Sequence, residues 1–209
     1  PLAEKNGLIV ELGDMIFEQV CRFIRDFNLK DSSIEYIEVN ISTVQLMHKG
    51  FAGRVKKILE EYDVTPDQIN IEITETATMM NIKRQVELIE MLRSYGFIVE
   101  MDDFGSGYSS LNTLKNTPVD VIKMDMAFMS GKDIYKRGAD ILQMVVSMAQ
   151  RLNMPIIAEG VETLEQAEFL SEIGCDIIQG YFYQKPCSVE EFEAILDKYE
   201  KEGNTIQTK

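Results

Sequence analysis

Three features of the 209-residue sequence predict an α/β fold built on parallel strands. Six short apolar or alternating segments recur, and each is followed by an amphipathic helical pattern. Successive segments begin about 20 to 35 residues apart, the size of one strand–helix–strand unit with a right-handed crossover. Each segment also ends in a polar group.

The first segment is IEYIEVNIS (34–42), preceded by a helical stretch from PLAEKNGLIVELG onward. INIEITE (69–75) follows, then the helical VELIEMLRSYG (86–96), with apolar residues at spacings of three and four. FIVEMDDFG (97–105) and VDVIKMD (119–125) come next, then the helix ADILQMVVSMAQRLN (139–153). MPIIAEGVE (154–162), the helix LEQAEFLSEIG (164–174) and CDIIQGYF (175–182) complete the series. Gly96 and Gly174 sit where helices stop, Thr163 with Gln166 forms a capping-box pattern, and Ser188 with Glu191 opens a last helix. Six units are too few for an eight-stranded barrel, whose usual length is about 250 residues. A barrel missing its first strands and an open doubly wound sheet both fit at this point.

The composition supports one globular domain, with 45% hydrophobic residues and no low-complexity tract. A formal charge of −14 without a basic stripe argues against a nucleic-acid polymer as partner. A phosphate-bearing ligand would need cations to bridge that repulsion. The three cysteines, Cys21, Cys175 and Cys187, are odd in number and unpaired in pattern, which points to a reducing, cytoplasmic setting for the domain and to ordinary packing roles. No apolar run approaches the roughly 20 residues of a membrane span, although a parent protein can be membrane-anchored.

The polar strand ends carry the chemistry: Asn40, Glu72 with Glu75, Asp102 with Asp103, Lys123 with Asp125, Glu159 with Glu162, and Gln179. In parallel α/β folds these ends form the one face on which residues remote in sequence converge. Each residue alone has a structural explanation as a cap, a solvated charge or an ion pair. Together they form a carboxylate cluster that repulsion and desolvation disfavour unless cations neutralise it. Oxygen donors suit Mg²⁺ or Mn²⁺, and a single histidine, His48, offers little for a zinc site. A strand that breaks at Asp102 lets Asp103 turn inward, helped by Gly105 and Gly107. Two ions there would polarise a phosphate and activate a shared water, with Lys123 orienting it.

The motifs NIS at Asn40, EITE at 72–75, DDFGSGYSS at 102–110, KMD at 123–125, AEGVE at 158–162 and QGYF at 179–182 resemble, in order, those of the EAL domain family of bacterial cyclic-di-GMP phosphodiesterases. The resemblance implies a TIM-like barrel of which six of eight strands are present, and hydrolysis of cyclic di-GMP to linear pGpG with two Mg²⁺ or Mn²⁺ ions. It implies metal ligation by Asn40, Glu72, Asp102, Asp103 and Glu159. Lys123, Glu159 and Asp103 would act in catalysis, with Glu75, Asp125, Gln179 and Glu162 in support. Phe104, Gly105, Ser106, Gly107 and Tyr108 would form the loop near substrate that Glu75 anchors, a loop that also bears on dimerisation.

The chain departs from that pattern in three places. No Glu-Ala-Leu motif occurs in residues 1–39, since ELG at 11–13 lies inside a helical pattern; Ser106 replaces the more usual Thr; and Glu100 stands where the family is usually small. By strand alternation Glu100 shares the Asp102 face, where it adds negative charge or pairs with a cation. The expected organisation is a single N-terminally incomplete domain over 1–209: a core over about 2–187, a helix over 188–200 and a tail over 201–209. Upstream cyclase or sensory domains are expected in a parent protein. The isolated piece is expected to be poorly soluble and nearly inactive. Alternative readings are a catalytically inactive receptor or protein-interaction module, and an enolase-like lyase, against which the DDFG turn speaks.

Overall fold

The computed structural model describes residues 2–27, 29, 32–75, 82–105, 110–126 and 135–201. Among them runs one sheet of six parallel strands, β1 (Ile37–Asn40), β2 (Ile69–Thr74), β3 (Ile98–Asp102), β4 (Val121–Asp125), β5 (Ile156–Glu159) and β6 (Ile177–Ile178), in sequential order. Sequential parallel order with a helix in every crossover curls the sheet into an open half-barrel. This is the barrel alternative rather than the doubly wound one, whose strand order reverses at a switch point.

The helices are α1 (Leu2–Lys5), α2 (Ile9–Phe27), α3 (Thr43–Met47), α4 (Phe51–Tyr62), α5 (Ile82–Ser94), α6 (Ser110–Asn116), α7 (Tyr135–Arg151), α8 (Leu164–Glu172) and α9 (Val189–Lys201). The predicted caps are present. Thr163 and Gln166 form a reciprocal box at α8, while Ser188 and Glu191 exchange bonds of 3.3 and 3.0 Å before α9. Gly96 and Gly174 stop α5 and α8 at φ +102° and +80°, backbone angles that side-chain-bearing residues avoid.

Strand alternation explains where the site can lie. On β2, Ile69, Ile71 and Ile73 face one way into the apolar core, together with Val99, Met101, Ile122, Met124, Ile156 and Ala158 of the neighbouring strands. Asn70 and Glu72 fall on the opposite, barrel-interior face and are nevertheless buried, as are Glu100 and Lys123. Two aspartates pin the strand starts: Asp120 accepts the Val99 N–H at 3.0 Å and Asp176 the Ile156 N–H at 3.0 Å. These bonds help fix the β3–β4 and β5–β6 registers, and so the height of Lys123 in the barrel.

The last predicted strand is shorter than its sequence suggests. Of 175–182 only Ile177–Ile178 pair as β6, because the chain then folds against the loop after β5: Val161 N–H donates to Gln179 O (3.1 Å) and Phe182 N–H to Val161 O (2.9 Å). A Cβ at Gly180 would lie 2.1 Å from Val161 O and 2.3 Å from Val161 N. Gly180→Ala is therefore expected to destabilise the chain by about 1–3 kcal/mol, with the largest rise in amide exchange at Phe182. Thermal unfolding with exchange mass spectrometry checks this, and an unchanged Tm contradicts it.

A cleft of about 700 Å³ opens between the β1 and β6 edges, lined by Ile37, Gln179 and Tyr181 together with Val20, Phe23 and Phe192. No helix of the described residues is long and apolar enough to cross a membrane. The cysteines are unpaired, Cys21 buried and Cys187 exposed, and burial pushes the Cys21 thiol up to about 12, as befits a packed, unreactive group.

Candidate active site

Lys123 organises the barrel interior. Its side chain is 1% exposed, and its ammonium donates to Glu38 Oε2 at 2.9 Å, to Glu159 Oε1 at 2.6 Å and to Glu72. These three bonds use all three ammonium protons. Glu100 Oε2 lies 3.9 Å away and makes no hydrogen bond, while Glu100 Oε1 accepts from Asn70 Nδ2 at 2.6 Å. Residues from five strands thus meet at one cation, because Glu38, Glu72, Glu100, Lys123 and Glu159 all point to the barrel interior.

One ammonium cannot balance four carboxylates. Burial, with repulsion from Glu38 opposing the pull of Lys123, pushes Glu72 up to about 7. Burial likewise raises Glu100 and Glu159, with Lys123 pulling both the other way. Burial by itself would lower Lys123, yet its bonds to Glu159 and Glu72 hold it well above the ordinary lysine range. Ligand oxygens of Glu38, Glu72 and Glu100 come within 4.8 Å of one another. The cation lying among them is the Lys123 ammonium, bonded to Glu38 and Glu72 and 3.9 Å from Glu100.

This surplus makes stability pH-dependent in the metal-free chain. Glu72 titrates near 4.5 when unfolded and near 7 when folded, so its contribution is fully present below pH 4.5 and is lost as pH rises through 7. The Tm in chelator is therefore expected to fall between pH 5 and 8, a window set by that shift. Circular-dichroism melts check it, and a Tm that rises across that window would contradict the cluster's surplus charge.

A second acidic group sits higher, at the strand ends. The strand breaks at Asp102, whose Oδ1 accepts the Asp103 N–H at 2.7 Å, and Asp103 takes a left-handed backbone with φ 57°. Phe104 N–H then donates to Lys123 O at 3.0 Å, and Gly105 N–H to Glu75 Oε2 at 3.1 Å. The buried Glu75 so fixes the turn from below. Asp103, exposed at the turn, is raised by partial desolvation and then by Asp102, Asp125 and Glu75; Asp102 and Glu72 both raise Glu159. The upper and lower groups are therefore one electrostatic unit.

The other candidates take different places. Asn40 is exposed, pairs in register with Glu72, and lines a cavity of about 350 Å³ with Thr74 and Gln45. Gln179 is exposed at the edge of the large cleft. Glu162 is exposed, and its N–H donates to Gln166 Oε1 at 2.8 Å at the start of α8. Ser106, Gly107 and Tyr108 lie outside the described residues. His48 is exposed at the end of α3, away from the strand ends.

Two interior residues were missed from the sequence. Glu38 shares the Asn40 face by alternation, and Asn70 shares that of Glu72, so the signal existed. Nothing local showed that either would meet a partner 85 or 30 residues away.

The donor set fits divalent cations held by hard oxygen ligands. It is all carboxylate and amide, carries more negative charge than Lys123 neutralises, and presents a buried carboxylate oxygen without a hydrogen bond.

Comparison with known proteins agrees with this architecture. A family model described as the EAL domain matches residues 1–186. The cyclic di-GMP phosphodiesterase NbdA of Pseudomonas aeruginosa is 35% identical over 198 residues, 95% of this chain and 25% of the relative. The bifunctional diguanylate cyclase/cyclic di-GMP phosphodiesterase MucR of the same species is 35% identical over 93% of this chain and 28% of its own length. The chain thus spans about a quarter of the curated relatives it matches. Among solved structures, a PaMucR phosphodiesterase complex with c-di-GMP superposes with a TM-score of 0.84 at 34% identity, covering 92% of this chain and 78% of that one. The EAL domain of Mycobacterium smegmatis DcpA gives 0.83 at 30% identity, covering 91% and 86%. With nearly the whole chain matched in sequence and in fold, the protein belongs to the EAL domain family.

Proposed function

We propose that this chain is a catalytic domain that hydrolyses one phosphodiester of cyclic di-GMP to linear pGpG, using two Mg²⁺ or Mn²⁺ ions, in second-messenger signalling. The observation that carries this reading is the convergence of Glu72 and Glu159 on a buried lysine, with the Asp102–Asp103 pair at the strand ends coupled electrostatically to Glu159. The activities named for NbdA and MucR, and the ligand in the PaMucR complex, support the choice of substrate.

Asn40, Glu72, Asp102, Asp103 and Glu159 would hold the cations. When bound, the cations supply charge neutralisation at the phosphate and a nucleophilic water at neutral pH. Lys123 would be a fixed, buried positive charge that stabilises developing negative charge. Glu75 holds the turn at Gly105, the Lys123 carbonyl holds Phe104, Asp125 adds negative charge around Asp103, and Gln179 and Glu162 would act in support. By the same resemblance, Ser106, Gly107 and Tyr108 would contribute to substrate binding. The domain is read as cytoplasmic, within a longer protein carrying cyclase or sensory domains, with a homodimer as an allowed assembly. The net charge of −14 disfavours a nucleic-acid polymer.

Chromatography of cyclic di-GMP incubated with Mn²⁺ and the complete polypeptide carrying these residues tests the reading. Appearance of pGpG supports it. Ligand that is retained but uncut would establish the receptor alternative instead.

A further inference from the structure

The metals and Lys123 claim the same carboxylates. Glu72 and Glu159 supply two of the three acceptors of the Lys123 ammonium, and both belong to the set that would hold divalent cations. A carboxylate oxygen committed to a cation is a poorer acceptor for an ammonium, and two cations repel. Without other acceptors Lys123 would be left buried and unpaired, a costly state.

Two further carboxylates solve this problem. Glu38 already accepts from Lys123 at 2.9 Å. Glu100 is fully buried; Asn70 holds its Oε1 at 2.6 Å, and its Oε2, with no hydrogen bond, lies 3.9 Å from the same ammonium. An oriented, buried acceptor just beyond bonding distance is a vacancy that a movement of about 1 Å fills, within the reach of a lysine's flexible stem. We propose that Glu38 and Glu100 are positioning residues that take over the Lys123 ammonium when divalent cations engage Glu72 and Glu159, and that Asn70 holds Glu100 ready. In the metal-free chain Lys123 stands in for the cations; in the loaded chain it would stay charged and fixed by Glu38 and Glu100. This inference rests on the metal-dependent reading above for its cations, and on the interior geometry for its residues.

The test is a cycle read by Mn²⁺ binding, measured by electron paramagnetic resonance of the free ion on the complete polypeptide. The double variant Glu38→Gln with Glu100→Gln is expected to weaken Mn²⁺ binding about tenfold, or about 1.4 kcal/mol, more in the native background than in Lys123→Met, because it leaves Lys123 competing for Glu72 and Glu159. Equal weakening in both backgrounds would show that the two glutamates act only as nearby charge, and the proposal falls. No weakening in the native background also overturns it.

If Lys123→Met does not fold, ammonium-selective ¹⁵N NMR of the native chain and the double variant decides alone. A slowly exchanging lysine signal should persist on adding Mg²⁺ to the native chain and be lost on adding it to the double variant. Persistence in both contradicts the handover. Mn²⁺ binding without pGpG formation would count against the hydrolase reading while leaving this one standing; a native chain that binds no Mn²⁺ overturns both.

Discussion

Lys123→Met is expected to reduce kcat about 100- to 1000-fold, the effect of deleting one preorganised group that stabilises developing charge. The same change removes the only cation found among Glu38, Glu72, Glu100 and Glu159 in the described residues. Stripping the counter-ion from a buried cluster costs about 3 kcal/mol, the lower end of the usual range, because Glu72 at about 7 already takes up a proton readily. For a chain of this size that lowers Tm by roughly 6–12 °C in chelator. Mn²⁺ should then stabilise Lys123→Met more than the native chain, since the vacated charge now favours the ion. Steady-state kinetics and melts with and without Mn²⁺ check both parts. Native kcat in the variant would remove Lys123 from the mechanism.

Asp102→Asn separates metal binding from folding. Asp102 Oδ1 accepts the Asp103 N–H at 2.7 Å, and an asparagine Oδ1 accepts the same bond, so the turn survives. Repulsion on Asp103 and Glu159 falls, because Asp102 raises both. Tm in chelator should therefore hold or rise slightly. Metal affinity is expected to drop by at least about 100-fold, the upper end for loss of even an outer partner of a metal ligand, with activity falling in step. A variant that keeps its Mn²⁺ affinity would place the cations elsewhere.

Both expectations depend on how local pattern and long-range register combine. The segments around Ile71, Met101, Ile122 and Ile157 were legible because their apolar residues recur at every second position or in short runs bounded by turn signals. The boxes at Thr163 and Ser188 were legible because capping is settled within four residues. β6 is shorter than its apolar segment suggests, since CDII continues into a segment whose path is dictated by the close approach of Gly180 to Val161, which periodicity does not encode.

The strand-end aspartates were visible as a motif, and the left-handed Asp103 follows from a strand that stops at Asp102. The depth of Lys123 was not visible. Only the register pairing Met124 with Ala158 and Asn40 with Glu72 sets it below the rim, within reach of Glu38 and Glu100. Glu100 stands out in the sequence as an odd charge on the Asp102 face, whereas its partners Asn70 and Lys123 emerge only in three dimensions.

The most direct test is restoration of hydrolysis by metal. The complete polypeptide, stripped with chelator, is given cyclic di-GMP and then Mn²⁺, with product followed by chromatography. The strand-end site predicts no pGpG before the metal and steady production after it, in the native chain and not in Asp102→Asn. Hydrolysis that proceeds undiminished in chelator, or that Asp102→Asn performs at the native rate, would contradict it.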